Sequence, residues 1–204
     1  DTDGLSATLA RAGLEARAVT SAAADRATFI RRPDLGRTLP AEAAAALAGA
    51  GPVDVALVLG DGLSATAVAL NGAAFVAALA ERLTRAGLSH GPVVLARQAR
   101  VALGDGIARA MGARTVVMAL GERPGLSAAD SLGAYITHFP AGVPEATPDS
   151  ARNCLSNIRE AGTPVPDAAD QAMRLIAAMH DSGQSGVALS QALAAGSLPP
   201  PAGS

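Results

Sequence analysis

Residues 53–64 read VDVALVLGDGLS, an almost unbroken apolar run that passes directly into a glycine-rich turn. The run from 53 to 59 predicts a strand that is covered on both faces, as the strands of parallel sheets are. The turn ends at Ser64, which is suited to cap a helix that extends to about Ala86 and stops at Gly87. The segment therefore predicts one strand–turn–helix unit of an α/β fold.

The same alternation continues downstream. Strands are predicted at 93–96 and 115–120, with a short helix at 107–111 between them. A short strand at 135–137 and a helix at 166–180 follow. Strands that alternate with helices predict a doubly wound, mostly parallel, Rossmann-like α/β sheet with helices on both faces, preceded by an N-terminal helical segment.

The 204 residues suit one such domain with appendages. Residues 1–50 are interpreted as an N-terminal helical or extended segment, which we expect to be truncated. Residues 51–190 are the predicted α/β ligand-binding domain. Residues 191–204 end in GSLPPPAGS and predict a flexible tail, because proline, glycine and serine cannot continue a helix or fill a core.

Ligands bind outside the carboxyl ends of the strands in an open parallel sheet. The unusual loops at 60–62, 97–104 and 121–126 each follow a predicted strand, and His138 follows the strand at 135–137. If all these strands are parallel, the loops and His138 lie at one edge. The sequence therefore predicts a ligand site there.

Composition excludes several classes of function. The net charge is −2 and only four residues are aromatic, so neither an electrostatic footprint nor a stacking platform for nucleic acid is present. Charged residues make up only 17% of the chain, which indicates that a partner covers part of its surface. No apolar run approaches the ~18 residues of a membrane span.

The single cysteine, Cys154, excludes an internal disulfide and is compatible with a reducing cytoplasm. His90, His138 and His180 lie far apart without the spacing of metal ligands, so no metal site is predicted. Taken alone, Cys154 reads as a buried structural thiol, because no paired histidine is nearby in the sequence.

Two segments, one rich in glycine and one basic, each allow more than one interpretation. The turn at 60–62 is either a nest for phosphate or a tight turn with a capping aspartate, and it lacks both common nucleotide-binding spacings. Arg31, Arg32 and Arg37 either contact a carboxylate, a phosphate or another subunit, or form a solvated face.

Glu122 lies between Gly121 and the run Arg-Pro-Gly. The proline restricts the backbone dihedral angles of itself and of the preceding arginine, whereas glycine permits positive φ. The loop at 121–126 therefore has a dictated shape, although a lone glutamate is ordinarily a solvated charge. Val101, taken alone, reads as a core residue.

Six ordered blocks form one recognisable set: RRPDLGR at 31–37, DGLSATA at 61–67, RVALGD at 100–105, GERPGL at 121–126, DSLGAY at 130–135 and RNCLSNI at 152–158. Together they resemble the small subunit of ethanolamine ammonia-lyase, from roughly Ala18 to Leu189. Two features differ from that family: Ala99 stands where glycine is common, and the chain opens at Asp1 without a longer basic segment.

The resemblance implies a lyase of ethanolamine catabolism that converts ethanolamine to acetaldehyde and ammonia with adenosylcobalamin, a cobalt corrin. It implies a hetero-oligomer in which this chain joins a large subunit that carries the substrate-handling residues, so no catalytic residue is assigned here. By the same resemblance, residues 51–190 bind cobalamin. Val101 would pack on the corrin, and Glu122 and Cys154 would meet its amide-bearing rim.

The resemblance further implies a cytoplasmic location, which includes the interior of a bacterial microcompartment. Two other functions stay open from the residues alone. One is a stand-alone nucleotide- or phosphate-binding doubly wound enzyme that uses residues 60–64 as its anion nest. The other is a scaffold subunit without a ligand.

Overall fold

The computed structural model describes residues 2–122 and 129–196, which form one mixed six-stranded sheet with helices on both faces. The strand order is β1-β3-β2-β4-β5-β6. The strands are β1 Ala16–Thr20, β2 Val55–Gly60, β3 Val93–Arg97, β4 Thr115–Gly121, β5 Leu132–His138 and β6 Asn153–Ile158. The helices are α1 Thr2–Arg11, α2 Arg26–Arg31, α3 Ala41–Ala46, α4 Ala65–Ala67, α5 Ala73–Arg85, α6 Leu103–Ala110, α7 Val165–Ser182 and α8 Gly186–Ala194.

The predicted α/β class is confirmed, but the sheet is parallel only in part. β1, β3, β2 and β4 pair in parallel, whereas β4–β5 and β5–β6 pair antiparallel. Only residues 122–131 connect β4 to β5, and a parallel neighbour needs a crossover of roughly a dozen residues or more. The short connection therefore makes β5 run back beside β4.

The N-terminal residues supply one edge of this sheet. β1 pairs with β3 along its whole length, with Val19 opposite Ala96, and α1 packs Leu9 into the core. The segment predicted to span residues 1–50 thus contains both helix and strand. Of the predicted tail, residues 197–204 lie outside the described residues.

The helix predicted after Ser64 is present and continuous from Ala65 to Arg85. Ser64 Oγ accepts a hydrogen bond from the amide of Ala67, as a capping residue does, and Gly87 ends the helix with φ +73°. Residues 68–72 form a π-helical turn between α4 and α5. These 21 residues are long and apolar enough to cross a membrane, but half of the apolar window is buried within the fold.

The two faces of the sheet are covered unequally. α1, α5, α7 and α8 pack on one face, which we call the closed face. On the other face, α3 and α6 share a core with the buried side chains of β1 to β4, and Tyr135 of β5 only borders it. Among the described residues no helix covers β5 and β6 there, so this half of the face, here called the open face, leaves Tyr135 half-buried and Cys154 exposed.

Candidate functional site

Two adjoining cavities lie where the carboxyl ends of the parallel strands meet the open face. The first has a volume of about 460 Å³ and the second about 430 Å³, and both are lined by Arg100, Val101 and Tyr135. Glu122 lines the first cavity and Cys154 the second. The fold therefore brings together all three residues that the sequence singled out.

The loop after β3 carries Val101 and is held by the turn after β2. The Asp61 carboxylate accepts hydrogen bonds from the backbone amides of Gln98 (3.0 Å) and Ala99 (3.1 Å). The hydroxyl of Ser21 donates to the carbonyl of Gln98 at 2.7 Å. These bonds fix a backbone in which Gln98 has φ +53°, and they leave Val101 half-buried at the cavity wall.

Glu122 is fixed by both its backbone and its side chain. Its amide donates to the carbonyl of Ser131 at 3.1 Å, and the Ser131 hydroxyl donates to Glu122 Oε2 at 2.8 Å. A Cβ on Gly133 would lie 2.5 Å from Glu122 Oε1, so the carboxylate occupies space that only glycine leaves free. The carboxylate thus has a defined position at the rim of the first cavity.

The start of this loop packs too tightly for any side chain. A Cβ on Gly121 would lie 1.8 Å from the carbonyl oxygen of Ser64. Gly62, whose φ is +52°, approaches the same strand end, and Leu63 donates its amide to the carbonyl of Gly121 at 3.0 Å. Residues 123–126, including the proline and glycine that predict a dictated loop shape, lie outside the described residues.

Cys154 and Tyr135 face each other across β5 and β6 on the open face. Although Cys154 is exposed by surface area, nearby protein atoms partly desolvate its thiol, and this together with the charge of Glu122 raises the thiol pKa. Burial, followed by the charges of Cys154 and Glu122, raises the pKa of Tyr135 to about 12. Both groups are therefore protonated near neutral pH, and the arrangement does not make Cys154 a thiolate nucleophile.

The cavity walls also contain residues to which the sequence analysis gave no role. Two guanidinium groups lie over the ring of Phe29, with Cζ atoms 4.8 Å (Arg26) and 4.3 Å (Arg100) from its centroid. Arg152 makes a bidentate pair with Asp105, at 2.7 and 2.8 Å. Arg100 and Arg152 stand within the quoted blocks, but no sequence signal points to Phe29.

His138 is not part of this site, and the prediction that it lies with the other loops is wrong. Because β5 is antiparallel, His138 lies at the amino ends of the parallel strands. It forms a buried cluster there with Thr115 and His180. Among the described residues no group of His, Cys, Asp and Glu side chains could hold a metal ion.

The turn at 60–64 is a tight turn rather than an open anion nest. The amide of Asp61 donates to the carbonyl of Ala96 and that of Leu63 to the carbonyl of Gly121, while Ser64 caps the following helix. The Asp61 carboxylate already occupies the position at the next loop where a bound anion would sit. A cavity of about 400 Å³ beside this turn is lined mostly by aliphatic side chains.

The sequence profile described as ethanolamine ammonia-lyase light chain (EutC) matches residues 1–190. The small subunit of ethanolamine ammonia-lyase from Rhodopseudomonas palustris (strain BisA53) is 47% identical over 187 residues, which is 91% of this chain and 70% of that protein. The Bradyrhizobium diazoefficiens small subunit is 49% identical over 83% of this chain and 65% of its own length. That of Pseudomonas fluorescens (strain SBW25) is 46% identical over 79% of this chain and 59% of its own length. The chain thus spans 59% to 70% of these relatives.

Proposed function

The chain belongs to the ethanolamine ammonia-lyase light-chain family, and from this premise we propose that it works as the small subunit of an adenosylcobalamin-dependent ethanolamine ammonia-lyase. In this proposal, the two cavities form its half of a cobalamin site shared with the large subunit. The enzyme converts ethanolamine to acetaldehyde and ammonia. It acts in the cytoplasm, including within a bacterial microcompartment.

The observation that carries the proposal is the convergence of three distant residues on one surface. Val101 precedes α6, Glu122 follows β4, and Cys154 is the second residue of β6, yet all three line the joined cavities. A set of core or solvated residues would have no reason to meet at one concave surface. This convergence supports Val101, Glu122 and Cys154 as the cofactor-contacting residues.

The lining fits a corrin chemically. Leu63, Val101 and Leu120 line the first cavity with apolar side chains, and a corrin presents a broad apolar face. Glu122 and Tyr135 line the same cavity, and their polar groups can hydrogen-bond to the amide groups around a corrin. Cys154 contributes a small neutral group beside Tyr135.

When bound, adenosylcobalamin supplies the radical chemistry of the deamination. The residues of this chain have a different task, which is to bind and orient the cofactor and to exclude water from one of its faces. Neither Glu122 nor Cys154 is assigned a proton or a covalent step. The substrate-handling residues are proposed to lie on the large subunit.

A partner must cover the side of the cavities that faces solvent. The open face has a half-buried tyrosine and an exposed cysteine, and the helices that follow the carboxyl ends of β1 and β2 expose two large apolar side chains, Ile30 and Leu70. With only 17% charged residues, the chain has the composition of a subunit whose surface is partly buried in a hetero-oligomer. The large subunit is the proposed partner.

Val101→Asp tests this site directly. In a complex reconstituted with the large subunit, Val101→Ala should weaken cobalamin binding by about 1 kcal/mol, because about two methyl groups of contact are lost. Val101→Asp should weaken it far more, because a carboxylate would face an apolar surface. Equilibrium dialysis against cobalamin measures both effects.

The matched control is Val187→Asp, which makes the same change at an exposed valine on α8. Equal cobalamin affinity of the Val101→Asp and Val187→Asp complexes would rule out the proposed contact. A second comparison dialyses the isolated chain, the large subunit and their mixture. Tight one-to-one binding by the isolated chain would contradict a site that is shared between subunits.

The alternative, a stand-alone nucleotide- or phosphate-binding enzyme, has no observation in its favour. The amides of Asp61 and Leu63 at the predicted nest are already hydrogen-bonded within the chain. We therefore propose no second function.

A further inference from the structure

Resting on the proposed function, we infer that the second cavity is an anion subsite, which binds the phosphodiester of the cobalamin nucleotide loop. Its elements are the guanidinium groups of Arg37 and Arg100 and the amino end of α6. The cavity adjoins the proposed corrin surface at Val101 and Tyr135. A single cobalamin would therefore occupy both cavities, with its apolar corrin in the first and its singly charged phosphodiester in the second.

Arg37 is held at the cavity rim by its backbone. The amide of Arg100 donates to the carbonyl of Gly36 at 2.9 Å, and the amide of Arg37 donates to the carbonyl of Asp34 at 3.1 Å. Within residues 2–122 and 129–196, the Arg37 side chain has no carboxylate partner, whereas Arg32 is paired with Asp34 at 2.7 Å. Of the three arginines of this run, Arg32 forms a surface ion pair, Arg31 is exposed away from both cavities, and Arg37 lines the second cavity.

Arg100 is fixed by its contact with Phe29. Its guanidinium lies over the aromatic ring, and its Nη2 donates to the carbonyl of Phe29 at 3.3 Å. Gly36 makes this arrangement possible, because a Cβ there would lie 2.9 Å from Arg100 Cγ. A guanidinium that is stacked on a ring keeps its charge and its planar donor edge in a fixed orientation, which suits a phosphate oxygen.

The amino end of α6 adds backbone donors at the same place. Val101 and Ala102 line the second cavity, and their amides donate to no acceptor in the described part of the chain. The amides that follow, from Leu103 onward, bond back to the preceding turn. The amides at the start of an eight-residue helix also carry its positive dipole end, which favours an anion.

Arg152 gives the cavity a buried guanidinium group. Its side chain is only 5% exposed, and its Nε has no hydrogen-bond partner among the described residues. Asp105 neutralises its two terminal nitrogens, and the exposed carboxylate of Asp149 lies 3.6 Å from Nε. Among the described residues that line this cavity, three are arginines and one is a carboxylate, Asp149, and this balance favours an anionic ligand.

A ligand that lacks the phosphodiester provides the test. Cobalamin and cobinamide share the corrin and its amides, but cobinamide has no phosphate. In the complex with the large subunit, Arg37→Gln should weaken cobalamin binding about tenfold, because one charge-assisted hydrogen bond is lost. Cobinamide binding should be unchanged, and Arg37→Lys should restore part of the cobalamin affinity.

The control is Arg31→Gln, the same change at an exposed arginine of the same segment that lines neither cavity. It should leave both affinities unchanged. Equal weakening of both ligands by Arg37→Gln, or no effect on either, would overturn the anion subsite while leaving the cobalamin site in place. Failure of the unmodified complex to bind either corrin would instead refute the proposed function, and this inference with it.

Discussion

Acidification should destabilise this protein through the histidine cluster at the amino ends of the parallel strands. The buried hydroxyl of Thr115 lies 2.8 Å from His138 Nδ1 and 2.9 Å from His180 Nε2, and the two ring centroids are 4.9 Å apart. Burial, then the charges of His180 and Arg114, lowers the pKa of His138 to about 4. The pKa of His180 is also lowered, first by burial and then by Arg114, while Asp54 and Asp181 oppose this shift.

The direction of the effect follows from the two protonation states. An unfolded histidine titrates near pH 6.5, so between about pH 6.5 and about pH 4 the unfolded chain binds a proton that the folded His138 does not. The stability that this histidine contributes is therefore complete above about pH 6.5 and decreases as the pH falls through that window. For a pKa change from 6.5 to about 4, acidification from about pH 7 to about pH 4.5 should cost about 2 kcal/mol. His180 acts in the same direction.

Urea unfolding at the two pH values measures the loss. His138→Asn supplies a nitrogen or oxygen near the position of Nδ1 but cannot titrate, so its free energy of unfolding should fall by about 2 kcal/mol less than that of the unmodified chain. His90→Asn, at a half-buried histidine whose ring hydrogen-bonds to the carbonyl of Gly91 rather than to Thr115, should retain the full pH dependence. The reasoning is refuted if the unmodified chain and His138→Asn lose the same free energy on acidification.

Substitutions at three positions test the site from other directions. Asp105→Asn leaves the guanidinium of Arg152, whose side chain is 5% exposed, without its buried bidentate partner, and should lower the free energy of unfolding by about 3 kcal/mol in urea titrations; a loss below about 1 kcal/mol would contradict a tightly coupled pair. Gly133→Ala places a Cβ 2.5 Å from Glu122 Oε1 and should move that carboxylate. Cobalamin binding by the complex should then fall while unfolding changes by less than about 1 kcal/mol, and unchanged binding would separate Glu122 from the ligand. Cys154→Ala should keep most turnover, whereas Cys154→Trp should block cobalamin binding, because the indole fills the second cavity; a folded, cobalamin-loaded Cys154→Ala complex without activity would instead indicate thiol chemistry.

The repeating strand–turn–helix units could be read from the sequence because their causes are local. The apolar run that became β2 must be buried on both faces, and Gly87 and Gly112 both have positive φ where the predicted helices end. Ser64 caps its helix with its own side chain. Each of these features depends on residues within one or two turns of each other, and the predicted boundaries lie within a few residues of the observed ones.

The two edge strands were not predicted, for a common reason. In β1 only one side chain, that of Val19, is buried. The sequence of β6, NCLSNI, mixes polar and apolar residues without a regular alternation. Neither strand forms because of its own pattern. Each is ordered by pairing with an apolar strand, β3 for β1 and β5 for β6, so the signal lies in the partner rather than in the segment.

The sequence alone determined that the chain is an α/β protein whose unusual loops follow buried strands. The resemblance to a known family added Val101, Glu122 and Cys154 as predicted cofactor contacts. Only the tertiary structure decided that β5 and β6 run antiparallel, which moves His138 to the opposite edge and brings Cys154 onto the open face beside Val101. It also decided which of the neighbouring arginines faces a cavity. Helices and turns are set by contacts between near neighbours in the chain, whereas strand direction and the assembly of a site depend on pairings across the whole sheet, and no local pattern encodes them.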